Sequence, residues 1–258
     1  MKICILGGGN PFGLNAARHL LRAGHQVFGI GRSPLKGEAF TLGAEQQGYR
    51  YFQHHLVFEL DYVMETLDRE KPAIVVNFAA QGEGAASFNP NDNWRFYQTN
   101  TLALARLVGH LIKRDWLQRF IQIGTSELYG SVTQPSKESD PLRPTSPYAI
   151  SKAAFDLHLV TTHATHKFPM NILRPCNGYC PGQQLYRIIP KAIISALCGN
   201  RLPLHGGGRA EKSYLHGDDI SLAITAVIDH APAGGIYNCG AAAPTSIANV
   251  VALCAEAC

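Results

Sequence analysis

Residues 1–20 read MKICILGGGNPFGLNAARHL, and this stretch decides the fold. The apolar run Lys2–Leu6 leads through three glycines into a helical pattern that begins near Phe12. A strand that enters a helix through a glycine-rich turn is typical of the first unit of a doubly wound parallel sheet. Glycine permits the tight turn, and the N–H groups at the start of the helix attract phosphate. We therefore predict a phosphate-binding turn here.

The remainder of the chain repeats the alternation of strand and helix. Short β-branched runs predict strands, and the longer stretches between them predict helices. The predicted strands are Lys2–Leu6, Gln26–Ile30, Tyr49–Gln53, Ala73–Phe78, Phe120–Ile123 and Asn171–Leu173. The predicted helices are Phe12–Ala23, Leu60–Glu70, Trp94–Lys113 and Tyr148–His166. We expect an α/β fold in which a doubly wound parallel sheet is covered by helices on both faces.

The pattern changes after Arg174. Residues 175–182 are typical of a loop, Ile188–Gly199 predicts an apolar helix, and LeuProLeuHis at 202–205 predicts a short strand. We therefore predict a nucleotide-binding domain over residues 1–173 and a smaller substrate-binding lobe over residues 174–258.

Composition excludes several classes of protein. The net charge of +4 is modest and the Lys and Arg residues are scattered, so no nucleic-acid partner is expected. The seven cysteines include no CxxC pair, which argues against a disulfide framework or a metal site. The first apolar run is too short for a signal peptide or a membrane span, so we expect a cytoplasmic protein without a membrane partner.

The ends of the first two strands predict which dinucleotide binds at the glycine turn. Glycine is usual at three positions of such a turn, and Asn10 stands at the middle one; Asn tolerates left-handed backbone geometry better than most residues. The second strand ends ValPheGlyIleGlyArgSer, which brings Arg32 and Ser33 to the position where NAD enzymes offer a carboxylate to the ribose. A cation there favours the 2′-phosphate of NADP, and NAD is the alternative.

Two further segments carry groups suited to acid–base chemistry. Tyr148 and Lys152 are four residues apart on a predicted helix, so both project from one face, where a nearby ammonium favours the phenolate form of a general base. Such a pair alone is common by chance. However, the strand before GlyThrSerGlu also delivers Thr125 and Glu127 to the carboxyl edge of the sheet, where ligands bind in open α/β folds.

These motifs resemble the extended short-chain dehydrogenase/reductases, the superfamily of nucleotide-sugar epimerases, dehydratases and decarboxylases with a Rossmann fold. The resemblance covers nearly the whole chain and rests on a few strings. They are the glycine turn, AsnPheAlaAlaGln at 77–81, ThrSerGluLeuTyrGly at 125–130, SerProTyrAlaIleSerLys at 146–152 and LeuArgProCysAsnGlyTyrCysProGlyGln at 173–183. The string GlnLeuTyrArgIleIlePro at 184–190 is most similar to sugar-nucleotide 4,6-dehydratases of the dTDP-glucose type.

The resemblance implies a role for each candidate residue. The catalytic positions are Thr125, Glu127, Tyr148 and Lys152. The cofactor positions are Gly7, Asn10, Pro11, Phe12, Gly13, Arg32, Ser33, Ala79, Ala80 and Asn100, together with Tyr148 and Lys152. The substrate positions are Gln81, Ser126, Asn177, Arg187 and Lys212.

Several positions depart from the family pattern. Lys212 replaces a usual Arg, His55 replaces an Asp that often meets the adenine, and Cys180 replaces a common Gly. The chain also ends earlier than most relatives, and we expect part of the substrate lobe to be missing or pruned.

The resemblance implies transient oxidation of the sugar C4 hydroxyl of a nucleotide-diphosphate sugar, with a 4,6-dehydratase favoured by Glu127. A 4-epimerase, a uronic acid decarboxylase and a 4-keto reductase remain open as alternatives. Ser126 and Arg32 agree with the GDP-mannose type of dehydratase, so the nucleotide also stays open. An alternative of another class is a catalytically silent NADP-binding protein. A homodimer is expected from the resemblance.

Overall fold

The computed structural model describes residues 1–35, 48–82, 88–132, 134–241 and 243–258. Its centre is a parallel sheet of seven strands in the order β10-β6-β5-β4-β1-β2-β3. These strands are β1 Lys2–Leu6, β2 Gln26–Gly31, β3 Arg50–Gln53, β4 Ile74–Asn77, β5 Arg119–Ile123, β6 Met170–Pro175 and β10 Ile236–Cys239. The predicted fold class is confirmed.

Helices cover both faces of the sheet, and a smaller set of elements lies beyond β6. The α-helices are α1 Pro11–Arg22, α2 Leu60–Glu70, α3 Trp94–Tyr97, α4 Leu104–Leu111, α5 Pro147–His166, α6 Ile188–Leu197, α7 Gly217–His230 and α8 Ile247–Glu256. The remaining strands are β7 Asn177–Tyr179 paired with β9 Tyr214–His216, and β8 Glu211–Lys212 paired with β11 Thr245–Ser246.

Helices α1 and α5 begin in the same way, with a capping side chain followed by proline. Asn10 precedes α1, and its side chain accepts a hydrogen bond from the Gly13 N–H at 2.8 Å. Ser146 precedes α5 and accepts from the Ala149 N–H at 3.1 Å. In each case proline follows the cap, where its missing N–H costs no hydrogen bond. The sequence therefore sets both helix starts locally.

The core has one apolar layer on each face of the sheet. Phe28 and Phe120 pack with α4 and α5 on one side, whereas Ile5 and Ile121 pack with α1 and α7 on the other. These four side chains are at most 1% exposed, which is why the central strands are continuous apolar runs rather than alternating ones.

The structure corrects the sequence prediction in the second half of the chain. The predicted strand at 202–205 is absent because Pro203 has no N–H and the following glycines take positive φ, +59° at Gly206 and +65° at Gly207. The predicted loop at 175–182 contains β7, whose Asn177 N–H donates to the Ser213 carbonyl at 3.2 Å.

The main sheet contains strands from both sides of the domain boundary predicted at residue 173. Strand β10 pairs with β6, and α7 packs against α1, although both lie in the segment assigned to the second lobe. We therefore propose that the substrate-binding lobe comprises β7, β8, β9, β11, α6 and α8. Among the described residues, no helix is long and apolar enough to cross a membrane.

Candidate functional site

A cleft of about 1380 Å³ opens at the carboxyl ends of the central strands. Nearly all of the candidate residues from the sequence line it. They are Gly7, Asn10, Pro11, Phe12, Arg32, Ser33, Ala79, Ala80, Gln81, Thr125, Glu127, Tyr148, Lys152, Asn177, Arg187 and Lys212. Gly13, Asn100 and Ser126 do not line the cleft. Residues far apart in the chain therefore converge because parallel strands end at one edge.

The glycine turn leaves a cradle that side chains would fill. Gly7 has φ +74°, and a Cβ there would lie 2.7 Å from the Ala79 nitrogen. A Cβ on Gly13 would lie 2.6 Å from the Gly7 carbonyl oxygen. The turn and the first turn of α1 are thus packed backbone to backbone, which suits a pyrophosphate approaching the α1 N–H groups. The residues present fit the phosphates of a dinucleotide.

Asn10 is compatible with the glycine turn, but not through the left-handed backbone geometry that the sequence predicted. Its φ of −84° and ψ of 159° are extended, not left-handed. Its Oδ1 caps α1, and its Nδ2 donates to the Phe78 carbonyl at 3.4 Å. Asn therefore replaces glycine here because this position needs a capping side chain rather than a positive φ.

The far end of the cleft lies beyond β2 and β3. Arg32 and Ser33 are exposed there, and their carbonyls accept hydrogen bonds from Gln53 at 3.3 Å and Tyr51 at 2.7 Å. The backbone that presents both side chains is thus anchored to β3. A cation at the end of the second strand is positioned for the ribose end of a dinucleotide.

His55 lines the same end of the cleft. Its Nδ1 accepts hydrogen bonds from the N–H groups of Val57 at 3.1 Å and Phe58 at 3.4 Å. Because Nδ1 accepts, the ring proton belongs on Nε2. A carboxylate at this position could only accept a hydrogen bond, whereas this imidazole retains one N–H to donate.

Lys152 is buried at the floor of the cleft. Its side chain is 2% exposed, and Nζ donates to the Ile123 carbonyl at 2.7 Å. Burial lowers the pKa of Lys152 to about 8, against the opposing attraction of Asp156. Tyr148, one turn earlier on α5, is half-buried, and its ring makes an edge contact with Phe96 at 6.2 Å between centroids. The two predicted partners thus share one face of one helix.

The segment after β5 carries Thr125 and Glu127. Thr125 is 7% exposed, and its Oγ1 accepts the Glu127 N–H at 3.2 Å, which starts the 3-10 turn Ser126–Tyr129. That bond leaves the Thr125 hydroxyl proton available as a donor. Ser126 lies outside the lining, so the segment presents alternate side chains to the cleft.

Asn100 supports the site from behind. It is fully buried within the π-helical segment Gln98–Ala103, which the sequence predicted as regular helix. Its Oδ1 accepts the Gln81 N–H at 2.7 Å, and its Nδ2 donates to the Gln81 carbonyl at 3.1 Å and to Ser151 Oγ at 3.0 Å. Asn100 therefore fixes the loop after β4 against α5.

The sequence prediction missed a pair of amides inside the sheet. Asn77 Nδ2 donates to the side-chain oxygen Oε1 of Gln122 at 2.7 Å, and Gln122 Nε2 donates to the Ile123 backbone carbonyl at 3.1 Å. That same carbonyl receives Lys152, so two donors fix its direction. Polar residues within otherwise apolar strands were the available signal.

Three of the substrate candidates line the cleft from the elements beyond β6. Asn177 donates through Nδ2 to the Ser213 carbonyl at 3.1 Å, Arg187 directly precedes α6, and Lys212 is exposed on β8. Two cations in the lining of a cleft favour an anionic ligand. Within the described ranges, no cluster of His, Cys, Asp or Glu is arranged to hold a metal ion.

The chain is similar to several known proteins. The model of the NAD dependent epimerase/dehydratase family matches residues 3–240. The chain is 30% identical over 245 residues to the low-salt glycan biosynthesis protein Agl12 of Haloferax volcanii, which covers 93% of this chain and 77% of that protein. It is 39% identical over 145 residues to a dTDP-glucose 4,6-dehydratase of Streptomyces griseus, over 56% of this chain and 44% of the relative.

Solved structures give the same result for the fold. The dTDP-glucose 4,6-dehydratase of Bacillus anthracis in complex with NAD superimposes with a TM-score of 0.87 at 26% identity. The match covers 99% of this chain and 80% of that one.

The contact between Gly13 and Gly7 provides a test of the cradle. We expect Gly13→Ala to weaken binding of a nicotinamide dinucleotide at least about tenfold, because the new methyl group would push α1 away from the turn. Gly109→Ala in α4 is the matched control, since a Cβ there would meet nothing within 4 Å beyond its chain neighbours and the backbone of its own helix. It should leave affinity unchanged and stabilise the fold by about 0.5–1 kcal/mol. Calorimetric titration and urea unfolding measure both effects; wild-type affinity in Gly13→Ala would contradict the cradle.

Proposed function

The chain belongs to the NAD-dependent epimerase/dehydratase family, and on this premise we propose that it is a nicotinamide-dependent enzyme acting on a nucleotide-diphosphate sugar. The reaction that the site supports best is 4,6-dehydration of the hexose. One observation carries the proposal: Glu127 lines the same cleft as Tyr148 and Lys152. The alternative reactions of the family do not all need this carboxylate.

Tyr148 is the proposed base for the first step. The Tyr148 phenolate takes the proton from the sugar O4 and becomes a phenol, and the Lys152 ammonium favours the phenolate form before that transfer. Thr125 donates a hydrogen bond to the reacting oxygen. A nicotinamide ring bound in the cleft would supply the redox chemistry, as acceptor and later donor of a hydride.

Glu127 is the proposed group for the second step. A ketone at C4 acidifies the hydrogen at C5, and a carboxylate beside the ring removes it as water leaves from C6. Glu127 is half-buried at the start of the 3-10 turn, and its backbone is held by Thr125. A carboxylate on a fixed turn supports proton transfer because its reach to the ring varies little.

A 4-epimerase is the second candidate. Some dehydratases carry an acid where Ser126 stands, and this side chain lies outside the cleft lining. Glu127 is the one acid among the described residues that line the cleft, and a reaction that only inverts C4 by rotating the ketone and reducing its other face needs no second acid. A catalytically silent NADP-binding protein would not need both Tyr148 and Lys152 in the cleft, so their joint presence favours an enzyme.

NADP is the proposed cofactor. Arg32 is exposed at the end of β2, where it can pair with a 2′-phosphate, and Ser33 offers a second donor. NAD remains the alternative, since the solved dTDP-glucose 4,6-dehydratase of Bacillus anthracis was obtained with NAD. The diphosphate or the nucleotide of the substrate is proposed to bind Asn177, Arg187 and Lys212, and Gln81 is a further proposed substrate contact.

A homodimer is proposed through α5. Ile150, Leu157 and Val160 lie on one stripe of this helix and are 41%, 56% and 37% exposed, and Leu102 on the neighbouring π-helical segment is 61% exposed. A helix with an apolar stripe on its outer face is suited to pack against a second copy of itself.

The sequential roles of Tyr148 and Glu127 give a test. Tyr148→Phe should bind cofactor and yield neither reduced cofactor nor product, because the first base is gone. Glu127→Gln should still oxidise the sugar while water loss falls by about a hundredfold. A panel of dTDP-glucose, UDP-glucose and GDP-mannose, followed by mass spectrometry in deuterated water, reads the loss of water and exchange at C5.

Glu65→Gln is the matched control, because Glu65 is exposed on α2 and outside the cleft. It should keep wild-type turnover. Full turnover in Glu127→Gln, or a wild-type product of unchanged mass without deuterium at C5, would replace the dehydratase with the epimerase. A wild type that binds cofactor and turns over no nucleotide sugar would favour the silent binding protein.

Cofactor preference depends on one charge. Arg32→Asp should weaken NADP binding by roughly 30-fold or more, because a charge-assisted pair with phosphate becomes a repulsion, and it should favour NAD. Arg22→Asp makes the same charge change at the last residue of α1, at the end of that helix away from the glycine turn. It should leave the affinities for NADP and NAD unchanged. Fluorescence titration of the two dinucleotides measures the ratio. Tighter binding of NAD by the wild type contradicts the assignment.

The dimer proposal is tested by charge on the stripe. Leu157→Lys should give a monomer in light scattering at micromolar concentration, because an ammonium would be buried at the interface. Leu222→Lys on α7 is the control, since Leu222 is 58% exposed on another helix. It should stay a dimer. A wild-type monomer throughout the micromolar range would disprove the proposal.

A further inference from the structure

A charged pair is buried directly beneath the catalytic candidates. Arg174 Nε lies 3.0 Å from Asp156 Oδ2, and their side chains are 4% and 0% exposed. Removing two charges from water is costly, and a hydrophobic pair of similar size is often at least as stable. Fold stability alone is therefore a weak explanation for this pair.

The position of the pair ties it to both candidate segments. Asp156 lies one turn after Lys152 on α5. A Cβ placed on Gly124, the residue before Thr125, would lie 3.3 Å from Arg174 Cγ and 3.4 Å from Asp156 Oδ2. The pair thus fills the space between the backbone that carries Thr125 and the helix that carries Lys152.

Arg174 is held in place by neutral groups as well. It donates to the Tyr129 hydroxyl at 2.7 Å and to the Glu138 carbonyl at 3.5 Å, and its guanidinium lies 5.4 Å from the Tyr129 ring centre. The Glu138 carboxylate instead accepts the Asn238 N–H at 2.7 Å. The direct carboxylate partner of Arg174 is therefore Asp156.

Only one of the two carboxylate oxygens of Asp156 accepts a hydrogen bond from the described residues. Its Oδ1 has no hydrogen-bond partner within the described part of the chain, whereas its Oδ2 is engaged by Arg174. The charged or titratable groups around it are Lys152 from α5, Arg174 from β6, and Tyr129 and Glu138, which reach it through Arg174. Lys152 is a nearby cation that makes no hydrogen bond to a carboxylate among the described residues. Its Nζ donates to the Ile123 carbonyl instead.

We propose that Asp156 is a positioning residue whose buried carboxylate, held by Arg174, keeps the Lys152 side chain charged at the floor of the cleft. Lys152 needs this help because a carbonyl alone does not compensate an ammonium that is 2% exposed. The proposal rests on the proposed function only for its catalytic consequence, namely that the charged Lys152 supports Tyr148.

The electrostatics of the three groups agree with this arrangement. Burial lowers the pKa of Lys152 to about 8, and Asp156 opposes that shift. Burial also raises the pKa of the Asp156 carboxyl, while Arg174 and Lys152 both favour its ionised form. Since Asp156 raises the pKa of Lys152, its removal must let the pKa fall further, and Lys152 then loses its proton at a lower pH.

The test measures the titration of Lys152 without any substrate. Lysines of the full-length chain are labelled with ¹³C at Cε, the Lys152 signal is identified by its loss in Lys152→Arg, and its shift is followed from neutral to alkaline pH. In Asp156→Asn, which keeps the size of the side chain, the midpoint should fall by about one unit or more. Asp68→Asn is the matched control, because Asp68 pairs with Arg114 at 2.6 Å on α2, away from the cleft. It should leave the midpoint unchanged.

Removal of Asp156 alone leaves Arg174 buried without its partner, and the variant can fail to fold for that reason. The double variant Asp156→Asn with Arg174→Gln carries no unpaired charge and should also show a lowered midpoint, because it too lacks the carboxylate that raises the Lys152 pKa. An unchanged Lys152 midpoint in either folded variant overturns the proposal. If a nucleotide sugar is turned over, the alkaline limb of kcat should move to lower pH by the same amount. Failure of every sugar would disprove the proposed function and leave the titration result standing.

Discussion

The hydrogen bond from the Lys152 ammonium to the Ile123 carbonyl is the interaction on which the site depends. A buried cation must be satisfied by an acceptor, and the carboxyl end of a central parallel strand is where a carbonyl lacks a ladder partner. This bond sets the height of α5 against the sheet. It thereby determines where Tyr148 stands relative to Thr125 and Glu127, which leave the same strand two and four residues later. The amide pair Asn77 and Gln122 fixes the direction of the carbonyl from the other side.

Local chemistry made most of the site predictable from the sequence. The glycine turn, the Tyr–Lys pair and the segment after β5 each lie within a few residues of a strand end or on one helix face, so spacing alone brings them together. The sequence does not reveal how Asn10 serves the turn, because a capping side chain and a left-handed turn residue are both compatible with Asn.

Features that depend on distant parts of the chain could not be predicted in this way. Strand β10 is four residues long and partly exposed throughout, so its membership in the main sheet follows only from its pairing with β6. The pair of Asp156 and Arg174 joins a helix to a strand 18 residues later, and neither residue has a local signature. The π-helical turn around Asn100 also gives no pattern that differs from an ordinary helix.

That π-helical turn fixes the number of residues in the segment Gln98–Ala103. A π turn usually arises where an α-helix accommodates one surplus residue. Because each residue turns less in a π-helix than in an α-helix, deleting one residue between 98 and 103 would close the turn into a regular helix and leave the flanking parts in register. The side chains within the segment would then point in other directions, and Asn100 would lose the orientation from which it bonds both Gln81 and Ser151. The number of residues in this segment is therefore as much a part of the site as their identity, and alignments of such chains should carry no gap there.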